Sequence, residues 1–78
     1  MVKKKVVRCR LAVLMAEQDP PLTQKRLAEE TGLSPNTVNL LYQNKLKRID
    51  IDTISKLCTY FECEIGDLFF TREIEDRD

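Results

Sequence analysis

Apolar side chains recur at helical spacing in three stretches of this chain. Leu11, Leu14 and Met15 stand at i, i+3, i+4, Val38, Leu41 and Tyr42 repeat that spacing, and Ile54, Leu57, Cys58 and Phe61 extend it over two turns. Leu27 and Ala28 give a fourth segment a narrower apolar edge. The residues between these stretches set the helix limits. Asp19-Pro20-Pro21 closes a first helix predicted over 10–18, since proline lacks the N–H a helix needs and pushes its predecessor out of helical geometry. Leu22 then turns inward to seal that corner. Thr23 caps the second helix, and Gly32 stops it, because glycine takes a positive φ without a Cβ clash. Ser34-Pro35 opens the third, with a hydroxyl for the free N–H groups and a proline in the first turn, while Leu33 plugs the angle between the two helices. For the fourth, Asp52 is the predicted N-cap and Ile51 the residue that packs back against it. That helix ends over 62–64, and one further turn over 65–69 lays Ile65 and Leu68 on the core.

The two ends follow a different rhythm. Val6-Val7-Arg8-Cys9-Arg10 is β-branched and partly alternating, and Phe70, Arg72 and Ile74 alternate as well, so each end can form a short strand. Such strands would pair within the chain or with a partner, since an open edge accepts either. The pattern therefore predicts an all-α fold: a compact bundle of four to five short helices around a central helix-turn-helix, to which short terminal strands can be added. Seventy-eight residues make a single domain, here 1–78, with a basic arm or strand over 1–9 and an acidic tail over 71–78.

The stretch 23–43, TQKRLAEETGLSPNTVNLLYQ, resembles the lambda-repressor and Cro-like helix-turn-helix regulators, also called the xenobiotic-response-element family. With Gln24 as the first motif position, Ala28 falls on the small residue of the helix contact, Gly32 on the turn glycine, and Val38 and Leu41 on the core positions of the second motif helix. The likeness continues through IDIDTISKLCTYFECEIGDLF and covers about 11–69. It implies a sequence-specific regulator of transcription, a small repressor, that binds double-stranded DNA with the helix over about 34–43 in the major groove.

Composition narrows this in only a few places. A hydrophobic fraction of 42% with 33% charged residues suits a soluble chain, no apolar run is long enough to span a bilayer, and the arginines after the N-terminal lysines interrupt any signal-like segment. We therefore expect a cytoplasmic protein without membrane contact. Zero net charge argues against a nucleic-acid partner, but the charge is unevenly distributed. Residues 1–10 carry +5, residues 11–48 carry +1 and residues 49–78 carry −6. A duplex responds to the local field because salt screens charges beyond roughly 10 Å. The competing reading is that the basic and acidic ends pair with each other. Three cysteines without histidine or a CxxC spacing suggest neither a disulfide framework nor a metal site. No phosphate-cradling glycine-rich loop and no catalytic constellation is present, so an enzyme is not expected, nor a cofactor.

The candidate chemistry lies on the second motif helix. Its leading edge is Ser34, Pro35 and Asn36, with Asn39, Leu40 and Gln43 further along; all six are candidate base contacts. The resemblance assigns base-contacting positions to Ser34, Pro35, Asn36 and Leu40. Asn36 has the best chemistry, since an amide can accept from and donate to adenine. Pro35 and Leu40 offer only apolar contact, to a thymine methyl. Gln24 matches a family glutamine that bonds a phosphate; a solvated first-turn residue is its plainer role. Lys25, Thr37, Asn44, Lys45, Lys47 and Arg48 are further phosphate candidates, the last three in a basic loop that is otherwise an ordinary solvated connection. A domain this small gains affinity as a homodimer, through its C-terminal half or its terminal strands. Two alternatives remain: a protein-interaction or antitoxin-like module that keeps the fold, and a thiol-responsive regulator in which Arg8 and Arg10 favour thiolate at Cys9, with Cys58 and Cys63 five residues apart.

Overall fold

Helices form where the apolar spacing and the capping residues coincide. The computed structural model describes residues 2–76 and contains β1 (Val2–Cys9), α1 (Leu11–Ala16), α2 (Gln24–Thr31), α3 (Pro35–Tyr42), α4 (Ile51–Phe61), α5 (Ile65–Leu68) and β2 (Phe69–Asp76). Leu11, Leu27, Val38, Leu57 and Leu68, one from each helix, are the fully buried side chains around which the five helices pack. Leu33 is buried at the α2–α3 corner, and Leu22 is half-buried beneath the turn that follows α1.

The local signals around α2 and α3 act as their chemistry requires. Thr23 Oγ1 accepts from the Arg26 N–H at 3.1 Å, and Gly32 ends α2 at φ 77°, its N–H donating to the Ala28 carbonyl. Ser34 Oγ accepts from the Thr37 N–H at 3.1 Å, with Pro35 in the first turn of α3.

Four local readings need correction. The first helix is shorter than 10–18, beginning at Leu11 and ending at Ala16, well before the prolines. The cap of α4 is Asp50, whose carboxylate accepts from the Thr53 N–H at 3.3 Å and also from the Thr53 hydroxyl. Asp52 lies in the first turn instead, and Ile51 is the first helical residue, 81% exposed, so it staples nothing. Ile65 does not reach the core: at 56% exposure it points outward, and Leu68 alone anchors α5. The misplacements of Asp52 and Ile51 share a cause. Two acceptable caps stand two residues apart, and with Asp50 as the cap the helix begins two residues earlier, so that Ile51 and Asp52 fall in its exposed first turn.

The largest departure is at the ends. The helical bundle carries the terminal strands that the sequence allowed, longer than expected: they form an eight-residue antiparallel ribbon in register from Val2↔Asp76 to Cys9↔Phe69. β1 runs past the Val-rich stretch through Lys3, Lys4 and Lys5, and β2 takes up most of the expected acidic tail; Met1, Arg77 and Asp78 lie outside the described residues. Cys9 is buried and Phe69 packs on the core, so one side of the ribbon sits on the helices at this end. Arg10 donates its N–H to the Leu68 carbonyl at 2.7 Å, fixing both strands where they leave the body. The ribbon gives the molecule its elongation, with extents of 44 × 21 × 19 Å.

Candidate nucleic-acid interface

α3 is the centre of the candidate interface. Val38 and Leu41 bury one side of it. Asn36, Asn39, Leu40 and Gln43 fall at i, i+3, i+4, i+7 and so share the opposite side, a stripe about 10 Å long. Pro35 and Asn36 are exposed at its leading end, and no acidic side chain occupies the first turn, so the positive end of the helix dipole is unopposed there.

The candidate base-reading groups differ in how free they are. Among the described residues the Asn36 amide makes no hydrogen bond within the chain. Ser34 is engaged in its own cap, its hydroxyl also donating to Thr37 Oγ1 at 2.8 Å. Gln43 Nε2 donates to Asn39 Oδ1 at 3.1 Å, an exposed pair one turn apart. Leu40 is half-buried, and its carbonyl accepts from the Lys45 N–H at 2.8 Å.

The candidate phosphate-binding groups lie at the start of α2, on α3 and in the loop after it. Gln24 and Lys25 open α2, Gln24 half-buried and Lys25 exposed, in a first turn that also lacks acidic residues. Thr37 and Arg48 border one hollow of about 280 Å³ with Leu46, Ile49, Asp50 and Thr53, so the loop after α3 folds back beside α3. Lys45 and Lys47 are exposed along that loop.

Asn44 is placed differently. It holds the left-handed conformation at φ 60°, its Oδ1 accepts from the Cys9 N–H at 2.6 Å, and its Nδ2 donates to the Cys9 carbonyl at 3.3 Å. This amide closes a bridge with the main chain of β1 and docks the ribbon against the end of α3. Beside the bridge runs a groove of about 240 Å³ with Leu41, Leu46 and Ile49 in its lining and Arg8, Lys47 and Arg48 around it. Arg8 is thus a cation near the interface that the sequence did not single out. It lies almost forty positions before the loop, and only the strand docking brings the two together.

A brace holds α2 to α4 behind the motif. The Tyr60 hydroxyl donates to Glu30 Oε1 at 2.8 Å, while Arg26, one turn back on α2, pairs with the other oxygen of the same carboxylate. The Arg26 guanidinium first, and the Tyr60 hydroxyl second, hold the Glu30 carboxyl below the usual range.

The thiols do not favour a switch. Arg8 alternates to the side of β1 opposite Cys9, and burial pushes the Cys9 thiol up rather than down. Burial also raises the Cys63 thiol, with Cys58 beside it adding to the rise. The alternative in which flanking arginines activate Cys9 is therefore disfavoured. Among the described residues no group of histidine, cysteine or carboxylate side chains is placed to hold a metal ion, and no helix is long and apolar enough to cross a membrane.

Comparison with known proteins agrees with this geometry. The family model of the Cro/C1-type helix-turn-helix DNA-binding domain matches residues 10–71. The uncharacterized HTH-type transcriptional regulator YozG of Bacillus subtilis (strain 168) is 30% identical over 64 residues, which cover 82% of this chain and 74% of that protein. No solved structure matches the chain.

Proposed function

The chain belongs to the Cro/C1-type helix-turn-helix DNA-binding family, and on that footing we propose that it is a sequence-specific regulator of transcription, a small repressor acting in the cytoplasm by occupying its operator. The observation that carries the proposal is Asn36. It is an exposed amide with no hydrogen-bond partner among the described residues, at the leading end of a helix whose opposite side is locked into the core by Val38 and Leu41. In the major groove such an amide reads adenine through N6 and N7. Pro35 and Leu40 add apolar contact, and the Asn39–Gln43 pair reaches base edges by exchanging its mutual bond for bonds to DNA. Ser34 supports the reading chiefly by capping α3.

Gln24, Lys25, Thr37, Lys45, Lys47 and Arg48 set the register on the phosphates without reading sequence. Asn44 supports them indirectly by holding the loop and ribbon in place. With only one strong base-reading group, a single copy specifies few base pairs. We propose binding as a homodimer on two half-sites about one helical turn apart, joined through the C-terminal half or the terminal strands.

Selecting bound duplexes from a random pool tests the proposal. The expected product is an inverted repeat, and Asn36→Ala should relax one or two positions in each half by about 1–3 kcal/mol. A folded protein that enriches no sequence would overturn the proposal and favour the interaction-module reading.

A further inference from the structure

The ribbon has a charge asymmetry that neither strand shows by itself. Strand alternation puts Lys3, Lys5, Val7, Glu73 and Glu75 on the side continuous with Cys9 and Phe69, which packs on the helices at its base and is open further out, where Val7 is 67% exposed. There Lys3 stands opposite Glu75 and Lys5 opposite Glu73, so the cations are answered across the strands. The other side carries Lys4, Arg8 and Arg72, with no carboxylate from the Lys4–Ile74 pair to the Arg8–Phe70 pair; Asp76 takes the next register position on this side, opposite Val2. Arg10 adds a fourth cation at the base, its guanidinium 4.7 Å from the Phe70 ring centroid. Val6, Phe70 and Ile74 lie between these charges, the last two exposed.

We propose that this outward side of the ribbon is a second surface for duplex DNA, separate from the α3 stripe, which grips the sugar–phosphate backbone without reading sequence. The proposal rests on the reading that the chain binds duplex DNA. Charge complementarity selects the occupant. A duplex carries a unit charge for every ~1.7 Å of its axis, and cations interleaved with apolar side chains can meet phosphates and sugars together. A second copy fits less well, because apposing two outward sides sets the same cations against each other and like charges face to face are unfavourable. The helix-facing side of another copy has its lysines matched by glutamates and offers no excess negative charge. The ribbon is pinned at its base by the Asn44–Cys9 bridge, and Arg8 borders the same groove as Lys47 and Arg48, so the second surface adjoins the basic loop.

The test compares two double variants that change net charge equally, Lys4→Gln with Arg72→Gln on the outward side and Lys3→Gln with Lys5→Gln on the other. Affinity is measured by titration over a salt series, on a selected duplex and on a random one. The outward pair should lower affinity for both duplexes by the same factor and reduce the slope of log K against log[salt] by about 2, since each phosphate contact contributes ~0.9. The other pair should leave the slope nearly unchanged, and Lys4→Arg with Arg72→Lys should restore it. An unchanged slope in the outward pair overturns the inference, as does an equal loss in both pairs. A shift in sedimentation with no change in slope overturns it too, by assigning the face to a second copy. If Asn36→Ala still relaxes discrimination in the same assay, that failure leaves the proposed function standing.

Discussion

Asn36 and Asn44 carry the same amide eight residues apart, and the chain uses them in opposite ways. Asn36 bonds no other described residue and stands on the helix stripe away from the core, whereas Asn44 has left the helix at φ 60° and holds both main-chain polar groups of Cys9. Residue type alone does not separate them, because Cys9 lies 35 positions earlier and nothing local points to it. Gly32 is the contrary case: its role was legible, since a helix-ending positive φ is a purely local demand. A Cβ built at Gly32 meets no atom within 4 Å, so the only penalty for a side chain there is the φ of 77°. Gly32→Ala should therefore lower stability by about 1–2 kcal/mol, the usual cost of a left-handed alanine, and Gly32→Asn by less. Urea unfolding checks this: the midpoint should fall with the slope unchanged, and an alanine variant as stable as the parent would mean that the turn relaxes.

Among the elements, α2 and α3 were readable almost to the residue because their limits are set by side chains that bond within three or four positions. The start of α4 was displaced by two residues because Asp50 and Asp52 are both good caps, and it is the Asp50 carboxylate that bonds the Thr53 N–H and hydroxyl. The ribbon was the least legible element. Strand alternation is visible at both ends, but length and register depend on pairing across the whole chain, and three consecutive lysines weigh against a strand until glutamates stand opposite two of them. A two-stranded ribbon is marginal by itself, so its docking matters. Asn44→Gly separates docking from conformation, since glycine keeps the positive φ and removes both bonds to Cys9. The Cys9 amide should then exchange faster and the ribbon should loosen, while α3 keeps its helix signal. Asn44→Ala should be worse, because it adds the φ penalty; equal exchange in the parent and the glycine variant would show that the bridge does not hold the ribbon.

For the whole molecule, zero net charge conceals a separation that folding partly cancels. The basic start and acidic end meet across the ribbon, as the competing reading allowed, yet Lys4, Arg8 and Arg72 have Ile74, Phe70 and Val6 directly across from them because alternation sends them to the other side. The titrating groups with shifted values stabilise the helical body instead, and they act at opposite ends of the pH scale. Glu30, held down first by Arg26 and then by Tyr60, and Asp50, held down by Thr53, have folded values below their unfolded ones. Their contribution is complete above the unfolded carboxylate range near pH 4 and disappears as pH falls through the folded values. Cys9, raised by burial, and Tyr60, raised by its bond to Glu30, work the other way. Theirs is complete below the unfolded values of about 8.5 and 10 and is lost as pH rises through the folded ones. The melting temperature should therefore be flat from about pH 5 to 8 and fall on both sides. Glu30→Gln keeps an acceptor for Tyr60 but cannot titrate, so it should melt lower on the plateau and lose less than the parent below pH 4. If the two acid limbs fall in parallel, the carboxylate that braces α2 against α4 is not the group whose protonation loosens the helix-turn-helix.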